Sequence, residues 1–385
     1  MPRFRDALAA PGLSAIAEVK RRSPSAGDLR PDADPARLSS QFANAGAAAI
    51  SILVDERFGG SIADLQAARS ATTAPLLAKG FFNDELQLLQ LKMAGADAVL
   101  LLLRDLDDQR TAELLSYARE LGLDVLVEAH DAEELSRAIE LGAAVIGVNA
   151  RDLSTFELDR GAQLDLVAAA PRDRVIVAES GVETRAQGAA AELAGADALL
   201  VGSALMRAPE PAAKLAEILS RPLVKVCGLT RREDVDAAVA AGADMLGFIL
   251  AEQSPRRAPE VLAVPEDRLS VAVFVGEPEE TGADLVQLYA REEGRVRGRE
   301  AKVLRNGTPV AEVIDLPWDT PDPLHLQRAA AVEGRVMLAG RLGPDNVREA
   351  VRAVRPWAVD AASRLEVRPG IKDHEKVRAF VAAAR

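Results

Sequence analysis

The phrase (Ala/Leu)-Gly-Ala-(Asp/Ala), followed at once by an apolar run, occurs five times in the chain, at Gly46, Gly95, Gly142, Gly195 and Gly242. Glycine tolerates the left-handed backbone just past a helix, and the runs that follow, among them AISILV, AVLLLL and MLGFIL, suit strands buried on both faces. The stretches between, such as DPARLSSQFANAG and REDVDAAVAAG, have helical character. A chain that keeps alternating helix, glycine and buried strand is restricted to a parallel sheet with helical crossovers, so the expected class is α/β.

Counting apolar runs gives strands at 15–20, 48–54, 75–79, 98–103, 124–128, 145–149, 175–180 and 198–202. Eight such units are what a closed (β/α)8 TIM barrel needs. Their C-terminal ends carry Lys20, Lys79, Glu128, Asn149, Glu179, Ser180 and Ser203, and in this architecture active sites lie at that end. A proline-rich break, RAPEP, and Arg221-Pro222 then precede a second series at 223–228, 245–250, 270–275, 284–288, 301–304, 311–315, 335–339 and 358–363. Two tandem barrels are expected, with domains at 1–220 and 221–385. The second is compacted. Only NGTPV separates AKVLR from AEVID, too little for a parallel crossover, so near 305–311 either a helix is missing or one segment is not a barrel strand.

A net charge of −12 and 3% aromatic residues argue against a nucleic-acid groove, which needs a basic stripe and stacking rings. No apolar run is long and charge-free enough to span a bilayer, and the start has no signal-peptide layout. The one cysteine, Cys227, makes no internal disulfide and fits a reducing cytoplasm. The expected partners are small molecules, with no nucleic acid and no membrane; a monomer is compatible with this composition.

IAEVKRRSPSAG delivers Glu18 and Lys20 to one face of a strand end and continues into a Ser-Pro-Ser loop whose hydroxyls and N–H groups suit an anion. LLAKGFF, LVEAHDAEE, IGVNARDL and AESGV follow in order. Together these resemble indole-3-glycerol phosphate synthase over nearly the whole first barrel. The resemblance implies decarboxylating ring closure of carboxyphenylaminodeoxyribulose phosphate without metal or cofactor. Lys79 would be the general acid and Glu128 the partner acid/base. Glu18 and Asn149 would orient sugar hydroxyls, Lys20 and Arg151 would meet the anthranilate carboxylate, and Phe81 would line the substrate site. Ser23, Gly181, Gly202 and Ser203 match the phosphate positions, with Ser180 beside them. Two departures stand out: Lys79-Gly80-Phe81 replaces Lys-Asp-Phe, and Ala26 replaces the last lysine of Ser-Pro-Ser-Lys. Loss of a carboxylate beside Lys79 is expected to loosen its hold on a proton.

VKVCGLTRREDV, LGFILAEQSPRRAP, DLVQLY, VIDLPWD, MLAGRLGPDNV and AVDAASRLEVRPGIKDHEKV resemble phosphoribosylanthranilate isomerase. That implies an Amadori rearrangement of an aminoaldose to an aminoketose, with Cys227 as base and Asp315 as acid. Arg256 would receive the anthranilate carboxylate, Gln287 would touch substrate, Gly340 and Ser363 would lie on phosphate loops, and Asp360 would sit at the last strand's end. Here Gln287-Leu288-Tyr289-Ala290 replaces Gln-Leu-His-Gly, and Arg341 and Arg364 replace phosphate-loop glycines, where they are expected to form a charged clamp. Two alternatives remain: a Schiff-base aldolase using Lys79 as nucleophile, and an active synthase barrel fused to a catalytically degenerate second barrel.

Overall fold

The computed structural model describes residues 3–23, 27–151, 157–291, 301–316 and 322–385. Contacts divide the chain into two compact units, Met1–Glu183 with Gly188–Leu219, and Thr184–Gln187 with Ser220–Arg385. No helix among the described residues is long and apolar enough to cross a membrane.

In the first unit β1 (Ser14–Val19), β2 (Ala49–Leu53), β3 (Leu76–Lys79), β4 (Ala98–Leu102), β5 (Asp124–Ala129), β6 (Val145–Asn149), β7 (Val175–Glu179) and β8 (Ala198–Val201) close into a barrel. Neighbours are parallel throughout, and β8 returns to pair with β1. A helix follows each of the first seven strands. Six of them start on an Asp or Ser side chain that accepts backbone N–H groups, from Asp34, Ser61, Asp84, Asp107, Asp131 and Asp159. The repeated glycines do what the pattern requires: all five have positive φ, between 76° and 117°.

Alternation along the strands then places the site. Ile16, Leu77, Leu126, Val177 and Leu200 belong to one buried cluster, which Phe4 and Leu8 of the N-terminal helix also join. Two residues further along the same face of four of these strands come Glu18, Lys79, Glu128 and Glu179. An apolar floor thus sits one layer below a ring of charge.

The second unit closes through β9 (Leu223–Cys227), β10 (Met245–Ile249), β11 (Leu269–Val275), β12 (Leu285–Tyr289), β13 (Ala301–Arg305), β14 (Thr308–Asp315), β15 (Val336–Ala339) and β16 (Ala358–Ala361). Both segments around NGTPV are barrel strands, so the missing element is the helix. The expectation of a wholly parallel sheet is corrected: β13 runs antiparallel to β12 and to β14. Its reversal is made by Asn306 (φ 47°) and Gly307 (φ 77°), a two-residue turn with both φ positive, the geometry whose twist matches a hairpin. Among the described residues no helix lies between Arg232–Ala241 and His325–Ala330. The outward positions of the hairpin are correspondingly polar and exposed, as at Lys302 and Glu312, which face each other in register.

Candidate active sites

Every residue expected in the first site, from Glu18, Lys20 and Ser23 through Lys79, Phe81, Glu128, Asn149 and Arg151 to Ser180, Gly181, Gly202 and Ser203, lines one cavity of about 640 Å³ at the C-terminal end of the first barrel. Residues 24–26, with Ala26, and Asp152 and Leu153 of the IGVNARDL stretch lie outside the described residues.

Lys79 is at the centre. Its Nζ lies 2.5 Å from Glu179 Oε2, 3.4 Å from Glu128 Oε2 and 4.0 Å from Glu18 Oε1, and Glu18 pairs in turn with Lys20 at 2.6 Å. Burial alone would lower the lysine's pKa, but the carboxylates of Glu179, Glu128 and Glu18 outweigh it and hold the ammonium well above its ordinary value. The loosening expected from Gly80 is therefore outweighed by three carboxylates. Gly80 itself is packed under an aromatic ring: a side chain there would begin 2.8 Å from Phe82 Cζ.

The three carboxylates differ. Burial opposes the charge of Glu128, but Lys79, His130 and a hydrogen bond from Asn149 Nδ2 at 2.9 Å hold it well below the usual range. Burial also opposes the charge of Glu18, and Lys20 and Lys79 overcome it. Glu179 goes the other way. Burial, reinforced by the Glu128 carboxylate, pushes it up to about 8 despite Lys79. Two glycines make room for this crowding: a Cβ at Gly147 would collide with Glu179 Oε1, and one at Gly202 with Glu18 Oε2. At the anion end Ser180 and Gly181 have φ of 68° and 70°, two successive residues in the left-handed region. Phe81, 41% exposed, carries the Arg57 guanidinium 4.3 Å from its ring centroid.

Sequence reasoning gave no role to Glu179 or His130. His130 Nδ1 lies 2.9 Å from Glu134 Oε2, and its Nε2 makes a 3.2 Å ion-pair contact with Glu128 Oε1. Burial would lower its pKa, but these two carboxylates raise it to about 10. The signal for Glu179 was its place at a strand end; for His130 it was a position two residues past Glu128.

In the second unit Cys227, Arg256, Gln287, Asp315, Gly340, Asp360 and Ser363 likewise line one cavity, of about 550 Å³. Residues 317–321 of the LPWDTPDP stretch lie outside the described residues. Cys227 is buried, which pushes its thiol pKa up against the pull of Lys225. Lys225, two residues earlier on the same face of β9, is fully buried, donating from Nζ to Gln287 Oε1 at 2.7 Å and pairing with Asp360 Oδ2 at 3.0 Å. Burial disfavours its charge, and Asp360 restores it above the ordinary value. Gly247 on β10 keeps space open beside both: a Cβ there would lie 2.8 Å from Cys227 Sγ and 2.9 Å from Lys225 Cε. Arg256 is held through Nε by Glu366 at 2.9 Å, and Glu366 also pairs with the buried Lys372 at 2.9 Å. Lys225, Glu366 and Lys372 were missed; the Lys-x-Cys spacing was the available sign of the first.

The two loop arginines separate. Arg341 lines the cavity and has φ 56°, a strained value for a side-chain-bearing residue. Arg364 does not line it. Its guanidinium donates to Asp345 Oδ2 at 2.9 Å and to the Arg341 carbonyl at 3.1 Å, so the expected two-arginine clamp is corrected to one arginine at the cavity and one bracing it.

Comparison with known proteins agrees with this division. The family model for indole-3-glycerol phosphate synthase matches residues 2–218, and that for N-(5'phosphoribosyl)anthranilate (PRA) isomerase matches residues 322–383. An indole-3-glycerol phosphate synthase of Leifsonia xyli is 50% identical over 214 residues, covering 55% of this chain and 82% of the relative. A multifunctional tryptophan biosynthesis protein of Schizosaccharomyces pombe is 31% identical across 96% of this chain, which spans 59% of that relative's length. A second such protein, from Phycomyces blakesleeanus, is 32% identical across 96% of this chain and 62% of its own length. The chain thus spans about three-fifths of these multifunctional relatives. A solved phosphoribosyl anthranilate isomerase of Thermus thermophilus is 32% identical, with 42% of this chain and 96% of that one covered, at a TM-score of 0.35. The chain belongs to the indole-3-glycerol phosphate synthase family, and a stretch that matches the PRA isomerase family model follows the synthase-like part.

Proposed function

We propose that this chain is a bifunctional enzyme of tryptophan biosynthesis in the cytoplasm. Its second barrel (221–385) isomerises N-(5-phosphoribosyl)anthranilate, as an intramolecular oxidoreductase. Its first barrel (1–220) closes the product, 1-(2-carboxyphenylamino)-1-deoxyribulose 5-phosphate, to indole-3-glycerol phosphate, as a carbon–carbon lyase releasing carbon dioxide and water.

The observation that carries the synthase half is the cage of carboxylates around Lys79. A lysine held charged by three carboxylates is a proton donor and a poor nucleophile, which supports the general-acid role over a Schiff-base aldolase. Arrival of a substrate whose oxygen displaces one carboxylate weakens the hold at the moment a proton is needed. Glu179, which burial and the Glu128 carboxylate push toward accepting a proton, lies 2.5 Å from Lys79, so it is the carboxylate of the cage that can take up a proton and return it after donation. Glu128, fixed by Asn149 and His130, serves the later dehydration. Lys20 and Arg151 meet the carboxylate that leaves as carbon dioxide, and Ser23, Ser180, Gly181, Gly202 and Ser203 take the phosphate.

In the isomerase half Cys227 removes the proton from C2 while Asp315 protonates the ring oxygen. Arg256, steadied by Glu366, receives the anthranilate carboxylate, and Arg341 meets phosphate beside Gly340 and Ser363. The open cavity of about 550 Å³ supports an active second barrel over a degenerate one. Incubating the ketose with the chain and borohydride separates the synthase from the aldolase. Indole-glycerol phosphate and carbon dioxide with no trapped adduct is the expected result; a reduced adduct on Lys79 would contradict it.

A further inference from the structure

The isomerase assignment above, on which this rests, places its acid at the end of a chain of buried hydrogen bonds that crosses the second barrel. Lys225 Nζ donates to Gln287 Oε1 at 2.7 Å, Gln287 Nε2 donates to the Tyr289 hydroxyl at 2.9 Å, and that hydroxyl donates to Asp315 Oδ2 at 2.8 Å. Lys225, Gln287 and Tyr289 are 0%, 1% and 3% exposed.

The direction of every bond follows from its first member. An ammonium has only donors, so the amide must turn its oxygen to Lys225 and its NH₂ away. The NH₂ then occupies the phenol oxygen as an acceptor, leaving the single phenol hydrogen to go onward to Asp315. Asp315 ends β14, the second strand of the hairpin. Asp360, which pairs with Lys225 at 3.0 Å, anchors the far end.

We propose that Tyr289 is a positioning residue for the acid of the isomerase reaction: its phenol, aimed by Lys225 through Gln287, fixes the Asp315 carboxyl against the sugar ring oxygen. Because Lys225 also flanks Cys227 on β9, one buried cation sets the geometry of both the base and the acid. The charged and titratable groups around Asp315 in this cavity are Cys227, Asp360, Arg256 and Arg341, with Lys225 behind them.

Tyr289→Phe tests this by removing one oxygen. Isomerase kcat should fall by about tenfold or more while KM stays within about twofold, since the interaction bears on proton transfer and not on ground-state binding. The alkaline limb of the isomerase pH profile should move upward, because a hydrogen bond donated to a carboxylate favours its ionised form. Synthase activity, in the other unit, should not change and reports on folding. A non-disruptive second probe is 3-fluorotyrosine incorporation: the chain has two tyrosines, Tyr117 lies in the first unit, and a more acidic phenol at 289 should move the same limb downward. Wild-type kcat and an unmoved limb in both proteins would overturn the proposal, as would a kcat loss in Tyr289→Phe with the limb fixed, which marks a purely structural role. Absence of isomerase turnover in the wild type would overturn the underlying assignment instead, and the proposal with it.

Discussion

The two barrels reach the same ring of eight strands by different routes. In the first, every strand is parallel to its neighbours and a helix follows each crossover; in the second, one strand is reversed and the described residues from 242 to 324 contain no helix. Closure is therefore a property of the hydrogen-bonded ring, and the hairpin strands, whose outer face is polar, join without a helix between them. AVLLLL and AVIGVNA, continuous in apolar residues, are covered; AKVLR and AEVID, alternating, present Lys302 and Glu312 outward. The sites differ in parallel. The first barrel steadies its charges by ion pairs around Lys79, the second by a hydrogen-bonded chain with one buried cation.

The contrast breaks most sharply at Lys79. Lys79→Ala should reduce ring closure by about 10²-fold or more and leave isomerisation intact, measured by assaying each substrate separately. Retention of a tenth of the synthase rate would remove the lysine from the chemistry.

Gly147→Ala sharpens the packing argument, since the added methyl meets the Glu179 carboxylate. Overpacking should cost the first barrel about 1–3 kcal/mol in a denaturant melt and lower synthase turnover without touching the isomerase. An unaffected synthase would mean that Glu179 has room to spare.

In the second barrel the reversal depends on the turn at Asn306 and Gly307. Gly307→Val places a β-branched residue at φ 77°, and a loss of about 1–3 kcal/mol is expected in the second barrel's unfolding alone. Arg341→Gly should act oppositely, relieving left-handed strain at φ 56° and stabilising that barrel by up to about 1 kcal/mol, while KM for the phosphorylated substrate rises. A gain in isomerase rate would identify Arg341 as an obstruction.

The smallest effect concerns His130. Its pKa is raised from 6.5 to about 10 by burial-resisting pairs with Glu128 and Glu134, so the protonated ring binds its proton more tightly folded than unfolded. That stabilisation is complete below pH 6.5 and is lost as pH rises through 10. The first barrel's Tm should decline over this window, and His130→Asn should flatten the decline.

Most strands, and the gathering of the proposed site residues at two cavities, were legible because alternation carries side chains to a common rim, and the barrel collects strand ends. What was not legible involved partners distant in sequence or a turn read as a gap. The reversed strand was signalled by Asn306-Gly307 between alternating segments, yet counting strands as βα units treated NGTPV only as a short crossover. The hold on Lys79 was underestimated because Glu18, Glu128 and Glu179, which compensate for Gly80, lie roughly 50 to 100 positions away. Arg364 was misplaced because its partner, Asp345, belongs to a different loop.

The central claim is that one chain carries two working sites for consecutive steps. Its most direct test supplies phosphoribosylanthranilate as the only substrate and measures indole-glycerol phosphate, beside Lys79→Ala and Asp315→Asn. The wild type should complete both steps, Lys79→Ala should stop at the ketose, and Asp315→Asn should leave the starting material unchanged while still closing ketose supplied directly. A wild type that converts the ketose but never phosphoribosylanthranilate would contradict the claim.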